Sequence, residues 1–169
     1  MVDNHFSNID DIDIEILKLL TKDARKSYRQ VERDLKDFVK SPITVKKHVE
    51  SLQEKGIIND YGATINYERL GYDIIALIEI TISKGMMIEV EKDIAQDPNV
   101  FGVYDLTGEY DAIILARFRN RSDLSDMVKK INSFEYVIRT NTHLILNVIK
   151  EGMDFSKLMK KEKERKSSK

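Results

Sequence analysis

The chain has 169 residues, enough for one large or two small domains. Hydrophobic residues at 41% and charged residues at 34% provide a packed core under a well-solvated surface. A net charge of −1 excludes a globally basic nucleic-acid binder, so any affinity for a polyanion must come from local patches, multiplied by assembly. The absence of cysteine excludes disulfides, thiolate metal sites and thiol nucleophiles, which fits a reducing cytoplasm. The opening MVDNHFSNIDD has neither the basic start nor the apolar centre of a signal peptide. No run approaches the roughly 20 apolar residues of a membrane span, so the expected location is cytoplasmic, with no membrane partner.

Residues 1–8 are polar and expected to fray. Ile9–Leu20 reads as a helix with Ile12, Ile16, Leu17 and Leu20 on one face. Asp10 is placed to cap it, and Asp13 suits the positive helix end. A short second helix is expected over roughly Tyr28–Lys36, with Val31 and Leu35 four apart. A third follows over Ser41–Gly56, SPITVKKHVESLQEKG. Ser41 is its cap, Pro42 occupies the first helical position, and Gly56 sits where a left-handed residue ends a helix. Val45, Val49 and Leu52 form its apolar stripe. Its exposed first half carries Lys46, Lys47 and His48, with no acid before Glu50. Three short helices, the last one basic, match a helix-turn-helix domain, in which leading residues of the last helix reach base edges while lysines meet phosphates. The competing reading is a surface helix with a solvated charged face.

Tyr61–Tyr72 forms a boundary, with Gly62 and Gly71 bracketing a short β-prone piece. The periodicity then changes. Asp73–Ser83 alternates as a strand. Met86–Gln96 reads as a helix, Asp97-Pro98-Asn99 as a turn, and Val100–Thr107 and Tyr110–Arg119 as strands joined at Gly108-Glu109. Ser122–Asn132 reads as a helix capped by Ser122, and Val137–Lys150 as a long last strand. The order β-α-β-β-α-β is the ferredoxin-like arrangement, with two helices on one face of a four-stranded antiparallel sheet. Both strand faces are apolar: Ile113 and Leu115 against Ile114 and Ala116, and Ile138, Leu144 and Leu146 against Ile145 and Ile149. The face without helices is therefore expected to pair with a second subunit as a two-fold dimer. The end of the chain, KLMKKEKERKSSK, is low-complexity and basic. It reads as a solvated, disordered tail or as an auxiliary phosphate contact. The expected organisation is an α+β chain: residues 9–60 a helix-turn-helix domain, 61–72 a hinge, 73–150 a ferredoxin-like domain and 151–169 a basic tail.

Ile9-Asp10, Asp13, Ile16-Leu17, Leu20 and Arg25 resemble the opening pattern of the Lrp/AsnC (feast/famine) transcription regulators. Thr44-Val45, Val49, Leu52 and Gly56-Ile57-Ile58 resemble that family's recognition helix and its exit. Gly108-Glu109-Tyr110-Asp111 resembles the G-x-Y-D loop of its amino-acid-sensing domain, and Arg139-Thr140-Asn141-Thr142 the start of its last strand. The resemblance runs from about residue 9 to about residue 150. It implies dimers, which in this family often assemble further into octamers, and effectors held beside the Gly108–Asp111 loop at the contact between dimers. Three features depart from the pattern. The turn KDFVK before Ser41 is about three residues longer than usual, His48 stands where an arginine is common, and the tail after Met153 is longer than most.

No Gly-rich phosphate loop and no H-E-x-x-H occurs. His5, His48 and His143 are far apart with no partner at metal-ligand spacing, and His143 reads as a satisfied strand residue. No acid/base pair stands out, so neither catalytic residues, metal nor cofactor are expected. The binding candidate is Thr107, Gly108, Glu109, Tyr110 and Asp111, with Thr140 and Thr142 on one side of the last strand. Gly108 lets backbone N–H groups approach a ligand, Asp111 is an acceptor for an α-ammonium group, and the threonines offer hydroxyls. An ordinary hairpin turn would also explain the loop. For DNA, the candidates are Ser41, Thr44, Lys46, Lys47 and His48, with Arg29, Arg33 and Lys40 on the flanking backbone. The resulting expectation is a homo-oligomeric regulator that binds pseudo-palindromic duplex DNA and senses an amino acid or similar metabolite. The rivals are a tetrapyrrole decarboxylase of Lrp-like fold and a metabolite-binding module without DNA binding.

Overall fold

The computed structural model describes residues 9–83 and 87–167. Residues 1–8, including His5, and Met86 at the expected start of a helix lie outside the described residues. The described residues form two compact units: 9–64 together with 152–167, and Ile65–Glu151.

In the first unit, α1 spans Asp11–Leu20, α2 Tyr28–Asp34 and α3 Pro42–Glu54. Each start is written locally. At α1, Asp13 N–H donates to Asp10 Oδ1 (2.8 Å) and Asp10 N–H to Asp13 Oδ2 (3.1 Å), a reciprocal capping box. Ser27 and Gln30 do the same for α2. Ser41 caps α3 by accepting from Ile43 N–H (3.1 Å), with Pro42 in the first turn. At the α3 exit, Ile57 N–H reaches the Leu52 carbonyl and Gly56 N–H that of Gln53, a closure that puts Gly56 at φ +66°. The core joins Ile16, Val31, Leu35, Val39, Val45 and Val49. The long turn before α3 is ordered by this core. Phe38 and Val39 N–H both donate to the Leu35 carbonyl, and Val39 is 1% exposed. The added residues thus supply an apolar anchor.

The C-terminal segment corrects the expectation of a solvated, disordered end. Helix α6 spans Phe155–Ser167 and packs on α1. Met159 is 3% exposed, and Phe155 and Leu158 are half-buried at helical spacing around it. Three apolar side chains on one stripe hold the helix despite its many lysines.

In the second unit, β1 is Ile74–Ile82, α4 Met87–Ala95, β2 Val100–Asp105, β3 Ala112–Phe118, α5 Arg121–Asn132 and β4 Val137–Ile145. The sheet order is β2-β3-β1-β4 with every pair antiparallel, the ferredoxin-like topology. One face places Ala76, Ile78, Ile80, Ala112, Ile114 and Phe118 against Val90 and Ile94 of α4 and Leu124, Met127 and Ile131 of α5. The other face carries half-buried Leu77, Ile113 and Leu115 with exposed Phe101 and Tyr104. Glu79 and His143 also stand on this face, joined at 3.0 Å.

Three local expectations need correction. The expected strand to Lys150 ends at Ile145, because β4 pairs only with β1 and the last pair is Ile75 with Ile145. The α5 cap is Asn120, not Ser122: Asn120 Oδ1 accepts from Asp123 N–H (2.9 Å). The β-prone piece between Gly62 and Gly71 pairs with no strand and holds one short 3-10 turn, Glu68–Leu70.

Candidate nucleic-acid interface and effector loop

The outer face of α3 follows from its inner one. With Val45, Val49 and Leu52 buried, Ile43, Lys46, Lys47 and Glu50 point to solvent. Lys46 leans on Glu50 at 3.5 Å, an exposed pair one turn apart that is easily traded for a phosphate. Lys47 has no ion pair among the described residues, nor do Lys40, Arg29 and Arg33, all exposed. Thr44 is half-buried, and the Ser41 hydroxyl is committed to the cap. Ile43 is 68% exposed in the first turn, although isoleucine ordinarily seeks the core. It is absent from the residues expected from sequence to meet DNA. Its position two residues before buried Val45 is the signal that marks it.

His48 does not join that face. Its Nδ1 lies 2.7 Å from Asp13 Oδ1, and Asp13 is 4% exposed. The pair ties the middle of α3 to the start of α1. Asp10, Asp13 and His48 bring ligand atoms within 4.8 Å of one another, a spacing a metal ion accepts. Both carboxylates already serve the α1 capping box, and Lys47 lines the same recess. The arrangement therefore reads as a helix lock and not as a metal centre.

In the second unit, Thr107–Tyr110 bridge β2 and β3, closed by Leu106 N–H on the Asp111 carbonyl (2.7 Å). Gly108 has φ +130°, and a side chain there would meet nothing within 4 Å, so the loop backbone is open to solvent. Asp111 is held from β1: its Oδ2 accepts from Ile82 N–H (2.7 Å) and its own N–H donates to the Ile80 carbonyl (2.9 Å). Arg139, which sequence alone does not mark as a site residue, donates to Glu109 (2.8 Å) and lies over the Tyr110 ring at 4.8 Å. The hydrogen bond to Glu109, and then Tyr110, raise the guanidinium further above its already high ordinary value. Thr140 Oγ1 exchanges hydrogen bonds with the Asn132 amide, and Thr142 is exposed. Thr140 and Thr142 pair with Ile80 and Ile78 on the helix-covered side, whereas Arg139 pairs with Thr81 on the other. The expected residues thus rim two sides of one sheet end.

A third carboxylate site lies beside this loop. Glu91 of α4 faces Asp105, and its buried Oε1 has no hydrogen-bond donor among the described residues, so any hydrogen bond between the two carboxyls needs one of them protonated. Burial, then the hydrogen bond and charge of Asp105, push Glu91 up to about 7, with Asp111 adding to the effect.

Capped helices with a basic outer face in one unit, and a ferredoxin-like sheet with an open loop in the other, define a two-unit binding protein. The Lrp/AsnC ligand-binding domain matches residues 75–155. An HTH-type transcriptional regulator of Pyrococcus horikoshii is 41% identical over 143 residues, covering 85% of this chain and 95% of the relative. The AsnC structure of E. coli superposes with a TM-score of 0.79 at 26% identity, covering 86% of this chain and 97% of that one. A Neisseria meningitidis transcriptional regulator solved in complex with L-Met gives a TM-score of 0.78 at 23% identity, over 86% and 95%, a likeness of fold. The chain belongs to the Lrp/AsnC family and is a transcriptional regulator. The decarboxylase reading is set aside, since relatives across nearly the whole chain are named as regulators. No helix among the described residues is long and apolar enough to cross a membrane.

Proposed function

We propose that α3 enters the major groove of duplex DNA, with Ile43 and Thr44 toward base edges and Lys46 and Lys47 toward phosphates. Ser41 presents the helix start, and Arg29, Arg33 and Lys40 hold the flanking backbone. His48 drops out of this set because Asp13 holds it. The observation that carries the reading is the outer face of α3, where an apolar side chain and two lysines project from a helix buried on its opposite side. The anchored turn at Val39 supports DNA binding over a module that has lost it. In the cytoplasm, the protein works as a two-fold dimer on a pseudo-palindromic site, paired through the sheet face of Leu77, Ile113 and Leu115. Octamers follow by the family's further association.

The second unit senses a small metabolite, by this reading an amino acid. The open backbone at Gly108, the Asp111 carboxylate and the Arg139 guanidinium supply donors and acceptors of both signs, with Thr107, Glu109, Tyr110, Thr140 and Thr142 around them. The methionine complex of the Neisseria regulator supports a ligand of that kind. The deciding experiment is Lys46→Ala on a fragment selected by the wild type from random duplex. Affinity drops, sequence preference holds, and the slope of log K against log salt falls by about 0.9. Equal affinity and slope would remove α3 from the interface.

A further inference from the structure

Helix α6 is the element that the family reading leaves without a role. Its inner stripe is Phe155, Leu158 and Met159, and Lys163 reaches Glu15 of α1 at 3.8 Å. The helix starts under its own cap, with Lys157 N–H on Asp154 Oδ1 at 3.1 Å. Its outer side is Lys157, Lys160, Lys161 and Arg165, all exposed, against Glu164. Lys160 and Lys161 carry no ion pair among the described residues, while Lys157 pairs only with its capping aspartate at 3.7 Å.

We infer that α6 is a second DNA-contacting element, whose outer lysines meet the phosphate backbone beside the duplex engaged by α3. The inference rests on the reading of α3 as a DNA-binding helix. Three observations lead to it. The helix belongs to the same compact unit as α3, and α1 packs against both. A buried methionine fixes it there, so its charges are carried on an ordered surface and not on a wandering chain end. A chain of net charge −1 needs local basic surfaces to hold a polyanion, and the unit that contains α3 carries a second one on α6. Lysines on a helix flank carry no base-reading geometry, so their grip on the backbone adds affinity without sequence preference.

The test is the full-length triple variant Lys157→Gln, Lys160→Gln, Lys161→Gln, measured beside wild type and Lys46→Ala. The probes are the selected operator with ten-base-pair flanks and an unrelated duplex of equal length. The salt slope is expected to fall by about 0.9 for each lysine that meets a phosphate in the wild type, with the same fold-reduction in affinity on both duplexes. Met159→Asp, which undocks α6 but leaves α1–α3, should reproduce the reduction while circular dichroism keeps the remaining helices. A triple variant with wild-type slope and affinity, while Lys46→Ala weakens binding, overturns the role of α6 and leaves α3 intact as the reader. A reduction confined to the operator overturns the phosphate assignment. So does an unchanged duplex affinity accompanied by weaker binding to anionic vesicles. A wild type that selects no duplex at all sinks both readings together.

Discussion

The outer face of α3 and the loop before β3 both offer polar groups to a ligand, but in opposite states. On α3, Lys47 and Ile43 are exposed, and among the described residues Lys47 has no ion pair and Lys46 one exposed pair. At the loop, Asp111 serves Ile82, Glu109 holds Arg139, and Thr140 holds Asn132. A ligand for the helix meets a surface ready as it stands. A ligand for the loop must exchange internal hydrogen bonds for its own, so part of its binding energy goes into rearrangement. The loop is therefore suited to a response, and the helix to a fixed reading.

The largest expected effect tests the loop. Asp111→Asn keeps an acceptor for Ile82 N–H but loses the charge that an ammonium group would meet. A charged hydrogen bond contributes about 1.5–3 kcal/mol, so amino-acid affinity should fall roughly ten- to a hundredfold. Calorimetric titration with the same amino acid decides it. Equal dissociation constants would make Gly108–Asp111 an ordinary turn and erase the contrast with α3.

The next tests what is not free on α3. His48→Ala leaves the Asp13 carboxylate, 4% exposed, without its ring partner. A loss of about 1–3 kcal/mol in unfolding free energy is expected. If chemical denaturation shows the variant as stable as wild type while DNA affinity drops, His48 belongs on the DNA face after all.

Ile43→Ala sharpens the same face with a smaller effect. Removing apolar contact with a thymine methyl costs about 0.8 kcal/mol per buried methylene equivalent, or roughly fourfold per such group. The effect should vanish when uracil replaces the contacted thymine. An effect that persists on uracil-containing duplex would mean that Ile43 packs against sugar or protein.

The smallest effect concerns Glu91 beside the loop. Its carboxyl rises from the ordinary range to about 7 in the folded chain, so the native state binds the extra proton between about 4.5 and 7. Stability associated with that proton is present below the lower value and lost as pH rises through the upper one. Glu91→Gln should match wild type near pH 4 and exceed it near pH 8. After solvent screening the gain is about 1 kcal/mol, read as a melting shift of roughly 2–4 °C. A shift of the same size at both pH values would show that the gain does not come from titration of the Glu91 carboxyl.

What is legible in the sequence is local. Asp10 and Ser41 sit beside the amides they satisfy, so two of the helix starts follow from residues two or three apart. Gly56 ends α3 for the same reason, and the alternation of Ile78, Ile80 and Ile82 with Glu79 and Thr81 marks β1 as a strand, whereas the apolar residues on both sides of β3 leave its covered face to the packing. The cap of α5 is a competition between two neighbouring polar residues, Asn120 and Ser122, which propensity alone does not separate. The C-terminal helix is hidden in the sequence because its lysines outweigh Phe155, Leu158 and Met159, whose stripe gains meaning only once α1 provides a surface for it.

The sequence by itself determined the caps of α1 and α3, the two periodicities, the order of the elements up to β4 and the basic first turns of α3, because each depends on neighbours within a few positions. Only the tertiary structure decided that His48 turns to Asp13 thirty-five positions away, that Asp111 serves Ile82, and that Glu91 faces Asp105. It also decided where β4 stops and that α6 returns to the first unit. Those outcomes depend on which distant groups share a face, and a side chain's partner across the fold is set by packing and not by its place in the chain.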